Sequence, residues 1–244
     1  MKKSIKLLAL ATLCLSSLTI AKDKVPYTHQ GFYTNAETQL AVHFVSIDDI
    51  KKSLEGQAPM TVSFDIDDTS LFSSQYFHYG FTFGKELGFG STIPEVLHSQ
   101  KFWDYVAEQA DKHSIPKKSA KALIKMHLDR GDKIVFITGR TKHSGAENGV
   151  VNETAKVLQR YFKLPEPSPI WYTADTPVEG YQFDKTAYIK KAGAKLHYGD
   201  SDGDILAAKE AGVRGIRVQR SYSSTNPQKL NGGYGEEVLI NSAW

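Results

Sequence analysis

Apolar and polar positions alternate strictly from Met60 to Ile66, with Met60, Val62, Phe64 and Ile66 on one parity, and this period of two predicts a strand. Upstream, Ser46-Ile47-Asp48-Asp49 has the form of a capping box opening a short helix, which Gly56 ends before Pro59. Downstream the period lengthens. Pro116 and Ser119 introduce a helix carrying Ala120, Leu123, Ile124, His127 and Leu128, stopped by Gly131, and residues 133–138 follow as a buried strand. The same alternation recurs. Helices are predicted over 152–162, 186–192 and 204–211, the last two closed by Gly193 and Gly212, and strands over 170–172, 196–198 and 215–218. Strands alternating with helices predict an α/β fold, a Rossmann-like parallel sheet with helices on both faces. Residues 22–45 carry no clear period and read as an N-terminal arm. The single domain then runs over 46–244 and ends in a C-terminal arm over about 219–244.

One segment breaks the rhythm. Between Phe72 and Tyr105 stand ten aromatic residues together with Gly80, Gly84, Gly88 and Gly90. The stretch reads as a small aromatic-rich cap insertion, about 73–112, over the carboxyl edge of the sheet, where open α/β folds build their sites. The rings serve equally to pack the insertion against the body.

Composition places the chain among ordinary globular proteins, at 41% hydrophobic and 23% charged residues. The formal charge of +3 is supplied by Lys2, Lys3 and Lys6, in a basic, apolar, then small-residue pattern ending at Ala21. That pattern predicts a signal peptide over 1–21 and a periplasmic, secreted product. A chain left neutral by its removal offers no basis for binding nucleic acid polymers, and no later stretch is apolar enough to span a membrane. Cleavage after Ala21 would also remove Cys14, the only cysteine, leaving neither disulfide nor thiol chemistry.

Four places carry candidate chemistry. Asp65 and Asp67 close the first predicted strand in Phe64-Asp65-Ile66-Asp67-Asp68-Thr69; two residues apart on a strand they project to one side, where a cation would relieve their repulsion. The same letters also make a good turn. Asp200 and Asp204, in Gly199-Asp200-Ser201-Asp202-Gly203-Asp204, follow another strand and precede a helix, so they add carboxylates at the same edge or simply form an acidic helix start. Hard oxygen ligands favour Mg²⁺ over zinc. An EF-hand is excluded because Ala211 stands at the twelfth loop position, and no H-E-x-x-H pair is present. Thr138-Gly139-Arg140 ends a strand and suits a phosphate cradle or a turn. Lys185 opens a short helix, where a lysine is ordinarily solvated.

Taken in order, FDIDDTSLFSS (64–74), KIVFITGR (133–140), YGDSDGDI (198–205), GVRGIRVQR (212–220) and GEEVLINSAW (235–244) make the chain resemble the haloacid dehalogenase (HAD) superfamily, and within it the class B acid phosphatases. The resemblance spans nearly the whole chain beyond the leader. It departs from the family at Ser70, at Gly203 and most in the insertion from Gln75 to Gly90. It implies a HAD-like fold and a secreted acid phosphatase acting on phosphomonoesters such as nucleotides and aryl phosphates. Asp65 would be the nucleophile and Asp67 the general acid and base, with Thr138, Gly139 and Lys185 holding the phosphoryl group. One Mg²⁺ per subunit would be bound by Asp65, the Asp67 carbonyl and Asp200, with Asp204 steadying it from behind. The resemblance also implies a homotetramer, for which Val238-Leu239-Ile240 has the apolar character of a strand that pairs across subunits. Two other readings stay open. The aspartyl-phosphate could pass to an alcohol or nucleoside instead of water, or the fold could serve as a noncatalytic phosphate-ester binding or surface-interaction protein. The second would need neither a nucleophile nor an acid.

Overall fold

A computed structural model describes residues 42–174, 178–226 and 234–244. The expected signal peptide and most of the expected arm lie outside the described residues. The chain enters as β1 (His43–Val45) and α1 (Ile47–Ser53), whose N-cap Ser46 accepts from the Asp49 N–H while Asp49 caps in return. Then come β2 (Thr61–Phe64), β3 (Leu71–Phe72), three helices α2 (Ser74–Leu87), α3 (Ile93–Leu97) and α4 (Gln100–Glu108), and a 3₁₀ turn at Ala110–His113. The chain continues through β4 (Ile115–Pro116), α5 (Lys118–Asp129), β5 (Lys133–Thr138), α6 (Glu153–Phe162) and β6 (Ile170–Tyr172). It closes with α7 (Thr186–Lys191), β7 (Ala194–Gly199), α8 (Asp202–Ala211), β8 (Arg214–Arg217) and β9 (Glu237–Leu239).

Seven of these strands form one sheet in the order β1-β9-β8-β7-β2-β5-β6, every pair parallel. Central strands buried on both faces explain the apolar runs of β5 and β7. On one face Val62, Phe64, Phe136 and Tyr198 pack with Ile50 of α1, Leu123 and Ile124 of α5, and Leu158 of α6. On the other, Ile137 and Ala194 pack with Tyr188 and Ile189 of α7 and Ala207 of α8. The expected fold is the one observed.

Two expected boundaries are corrected. His43–Val45, assigned by sequence to the arm, form an edge strand; three residues are too few to display a period. Glu237–Leu239, placed by sequence in the C-terminal arm, are part of the sheet, because β9 lies between β8 and β1 of its own chain. Val238 and Leu239 therefore satisfy their backbone groups within the subunit and offer no free strand to a neighbour.

Beneath the sheet lies a buried polar relay. His127 places Nδ1 2.7 Å from Asp132 Oδ2 and Nε2 2.9 Å from the Tyr198 hydroxyl. Because an ionised carboxylate only accepts, Nδ1–H donates to Asp132 and Nε2 accepts from Tyr198. Asp132 also accepts from the Met60 N–H and from Arg130 Nε. Burial pushes Asp132 upward, but the bonds from His127, Met60 and Arg130 outweigh it and hold the carboxyl below its ordinary range. Its stabilisation is thus present above about pH 4 and is lost as pH falls through the lowered value. Asp132→Ala is expected to cost about 3 kcal/mol by orphaning these donors and to flatten the acid limb of stability against pH in urea titrations.

Candidate active site

The carboxyl ends of β2, β5 and β7, adjacent in the sheet, meet beneath the insertion. Asp65 follows β2 directly and its N–H donates to the Tyr198 carbonyl, so it leaves the sheet in strand geometry. The chain then turns sharply. The Ile66 carbonyl accepts from the N–H groups of Ser70 and Leu71, and Asp68 takes a positive φ of 57°. The Ser70 hydroxyl donates to the Asp65 carbonyl at 2.6 Å, and the Thr69 hydroxyl to Asp200 Oδ1 at 2.8 Å. Turn chemistry and site chemistry are therefore one structure, and the departure at Ser70 braces the turn. Lys117, buried at the start of α5, donates to the carbonyls of Asp68 and Gln219. Burial lowers its ammonium to about 8, while burial and the Asp200 carboxylate push Asp68 up to about 7.

Lys185 reaches in from the start of α7, its Nζ 2.5 Å from both Asp65 Oδ1 and Asp204 Oδ1. Its loop is anchored by Glu210, which accepts from the N–H groups of Gln182 and Phe183 and the Thr186 hydroxyl. Asp204 is also the capping-box residue of α8, its Oδ2 accepting from the Ser201 N–H and hydroxyl. The acidic helix start and the site residue, alternatives in the sequence, are one side chain. Burial raises Asp204, but Lys185 and His197 outweigh it and hold it well below the usual range. Asp65 goes the other way: burial and the carboxylates of Asp204, Asp200 and Asp67 push it well above, against Lys185.

The chemistry of this donor set fits a divalent cation. Buried Asp65, Asp200 and Asp204 each offer an oxygen within 4.8 Å of the others. All three already accept from protein donors: Asp204 at both oxygens from Lys185, His197 and Ser201, Asp200 at both from Thr69 and Arg220, and Asp65 at Oδ1 from Lys185. Positive charge here would ionise Asp65.

Asp67 stands apart, held by a residue that sequence spacing marked only as part of a turn. Arg140, 2% exposed, donates from Nε and Nη2 to Asp67 at 2.8 and 2.9 Å and from Nη1 and Nη2 to Asp111 at 3.0 and 3.1 Å. The Tyr76 hydroxyl donates to Asp67, and the Thr154 hydroxyl to Asp111. Burial raises Asp67, but Arg140 and Tyr76 outweigh it and hold the carboxyl below its ordinary range. Arg140 and Tyr76 thus favour the ionised form of Asp67. Asp111, in an undistinguished 3₁₀ turn, carried no sequence signal.

Thr138 and Gly139 complete one wall of a cavity of about 700 Å³ whose floor is Asp65, Asp67, Lys185 and Asp200. A Cβ on Gly139 would meet nothing within 4 Å beyond its chain neighbours, so its backbone opens directly on the cavity. The insertion supplies the roof, and its rings divide by task. Tyr76, Phe89, Phe102 and Trp103 form its buried core, while Phe77 and Phe81, packed against that core, line the cavity together with Trp103. Packing demands some close approaches: a Cβ at Gly80 would lie 2.5 Å from the Phe102 ring.

Carboxylates at the strand ends of a doubly wound sheet, met beneath a small cap by a lysine from the start of α7, form the arrangement expected of a phosphohydrolase of the HAD type. The family model for HAD superfamily, subfamily IIIB (acid phosphatase) matches residues 16–228. Class B acid phosphatases from Haemophilus parainfluenzae and Aggregatibacter actinomycetemcomitans are 46% and 45% identical to the chain, the first over 99% of each chain and the second over 100%. A predicted phosphoglycolate phosphatase from Haemophilus somnus shares the fold, with a TM-score of 0.54 and 14% identity over 78% of this chain and 96% of its own. The chain belongs to the class B acid phosphatases.

Proposed function

We propose that the protein is an exported, Mg²⁺-dependent acid phosphatase that cleaves phosphomonoesters through an aspartyl-phosphate on Asp65. The observation that carries this reading is the convergence of Asp65, Asp67, Lys185 and Thr138 in one cavity. A carboxylate oxygen of Asp65 attacks phosphorus as the bond to the leaving oxygen breaks, and Lys185, Thr138 and the Gly139 N–H hold the phosphoryl oxygens. Mg²⁺ would be held by the Asp65 and Asp200 carboxylates and the Asp67 carbonyl, and would supply charge neutralisation. Because Asp67 rests ionised, the proton for the leaving alcohol arrives with a monoanionic ester, and Asp67 relays it from the phosphate hydroxyl to the leaving oxygen as the P–O bond breaks. Asp67 then takes a proton from the water that attacks the acyl-phosphate. Phosphomonoesters lose that proton with a pKa near about 6, so turnover falls at higher pH. The rings of Phe77, Phe81 and Trp103 favour nucleotides and aryl phosphates as substrates. Export rests on the leader over 1–21, and assembly as a homotetramer rests on the family resemblance.

Phosphate release from p-nitrophenyl phosphate and a 3′-nucleotide, measured from pH 5 to 7 with Mg²⁺ and then with EDTA, tests the reading. Release from both that EDTA abolishes is the expected result. Release that survives EDTA removes the metal, and no release at any pH removes the hydrolysis. Adding excess nucleoside measures how much of the phosphoryl group goes to an alcohol instead of water.

A further inference from the structure

We propose that Ser63 and His197 are positioning residues that aim Lys185 through Asp204. The inference rests on the reading of Lys185 as the holder of the phosphoryl group. Ser63 on β2 and His197 on β7 are register partners in the centre of the sheet, and both are fully buried. An apolar pair would fill this position without any need for partners. Instead each polar atom is committed. His197 Nε2 lies 3.1 Å from Asp204 Oδ1 and Nδ1 lies 2.9 Å from Ser63 Oγ, which is also 3.3 Å from the Leu196 carbonyl. Since the Asp204 carboxylate only accepts, Nε2 carries the hydrogen and Nδ1 accepts from Ser63. Asp204 thereby selects the tautomer, and Ser63 supplies the matching donor at Nδ1 that holds the ring in place.

What this donor does follows from the other contacts of Asp204. Oδ2 is held by Ser201, and the side chain is pressed against Gly199, where a Cβ would fall 2.1 Å from Asp204 Cγ. Oδ1 is shared between His197 and Lys185. An ammonium has three hydrogens; Lys185 gives one to Asp204 and one to Asp65, and the third is left for a phosphoryl oxygen. Removing Nε2–H leaves Lys185 as the sole donor to Oδ1. The ammonium is then drawn toward Asp204 and away from Asp65 and the substrate.

The test compares His197→Phe, which keeps a ring and removes both nitrogens, with His197→Gln, whose amide N–H can reach Asp204, and with Ser63→Ala, which deletes only a hydroxyl. Each is measured for kcat and KM on p-nitrophenyl phosphate, for inorganic phosphate binding by calorimetry with and without Mg²⁺, and for melting temperature. We expect His197→Phe to lower kcat/KM by about 10- to 100-fold and to weaken phosphate binding. His197→Gln should restore most of both, and Ser63→Ala should fall between. In a Lys185→Ala background, His197→Phe should add little further loss. Losses that simply add, or a glutamine variant as impaired as phenylalanine at equal melting temperature, overturn the proposal. So does a Phe variant that loses stability alone. If wild type turns over but Lys185→Ala is unimpaired, the phosphoryl-holding role of Lys185 falls and this proposal with it. An inactive wild type instead refutes the phosphatase mechanism, and phosphate binding then reads the His197 effect separately.

Discussion

Asp65→Asn is expected to reduce phosphate release by about 10⁴-fold or more while the protein melts at or above the wild-type temperature when free of metal. The loss follows from the nucleophile: a carboxamide has no anionic oxygen to form the bond to phosphorus. The stability follows from the burial of Asp65 among Asp67, Asp200 and Asp204, which pushes its carboxyl well above the ordinary range. A raised carboxyl binds its proton more readily folded than unfolded. Its ionisation therefore weakens the fold as pH rises from about 4 through the raised value. Asparagine has no charge to bury. Lys185 keeps its bond to Asp204 in the variant, so the ammonium is not orphaned. Mg²⁺ should raise the melting temperature of the wild type and have a much smaller effect on the variant, because one of its carboxylates is gone. Scanning fluorimetry with Mg²⁺ and with EDTA, beside a turnover assay, measures both halves. Undiminished turnover in the variant would end the case for an aspartyl-phosphate.

Arg140→Met attacks the site from its other side and is expected to be the most damaging single change to the fold. The guanidinium is the shared partner of two carboxylates: Asp111 is fully buried, and the Asp67 side chain is 20% exposed. Removing it leaves both without their cation, a loss of about 3–5 kcal/mol for a buried pair. Arg140→Lys should recover little, since a point charge cannot reproduce two bidentate grips. Asp67 loses what holds its carboxyl below the ordinary range, so it should rise. In the wild type, that depressed carboxyl contributes stability above about pH 4 which disappears as pH falls through its lowered value. The variant lacks this contribution at every pH. Urea unfolding between pH 3 and 7 should therefore show a lower, flatter profile. A lysine variant with wild-type stability and turnover would show that charge alone suffices.

The fold was legible because its strands are short, central and buried, and its helices are punctuated by Gly131, Gly193 and Gly212. The nucleophile loop was legible because the spacing of Asp65 and Asp67 repeats with the strand. What escaped notice depends on distance across the chain rather than on neighbours. Arg140 meets Asp111 and Asp67 only once the insertion has folded over β5, and Lys117 meets Gln219 from the far side of the same loop. His197 reads as one more core residue until its ring is seen against Ser63 and Asp204. The ends of the sheet were missed for a different reason. Three-residue strands at 43–45 and 237–239 gain their identity from pairing with each other, which no local pattern records.

That pairing has a consequence for how the molecule is made. The first strand of the sheet finds its neighbour in the last, nearly two hundred residues later along the chain. While the C-terminus is still being synthesised, β1 has no strand to join and one side of β8 stands open. The chain thus carries an unfinished edge until its final residues arrive. A ribosome-bound or truncated product ending before Glu236 should remain sensitive to protease, whereas the complete chain, once released, seals its own sheet.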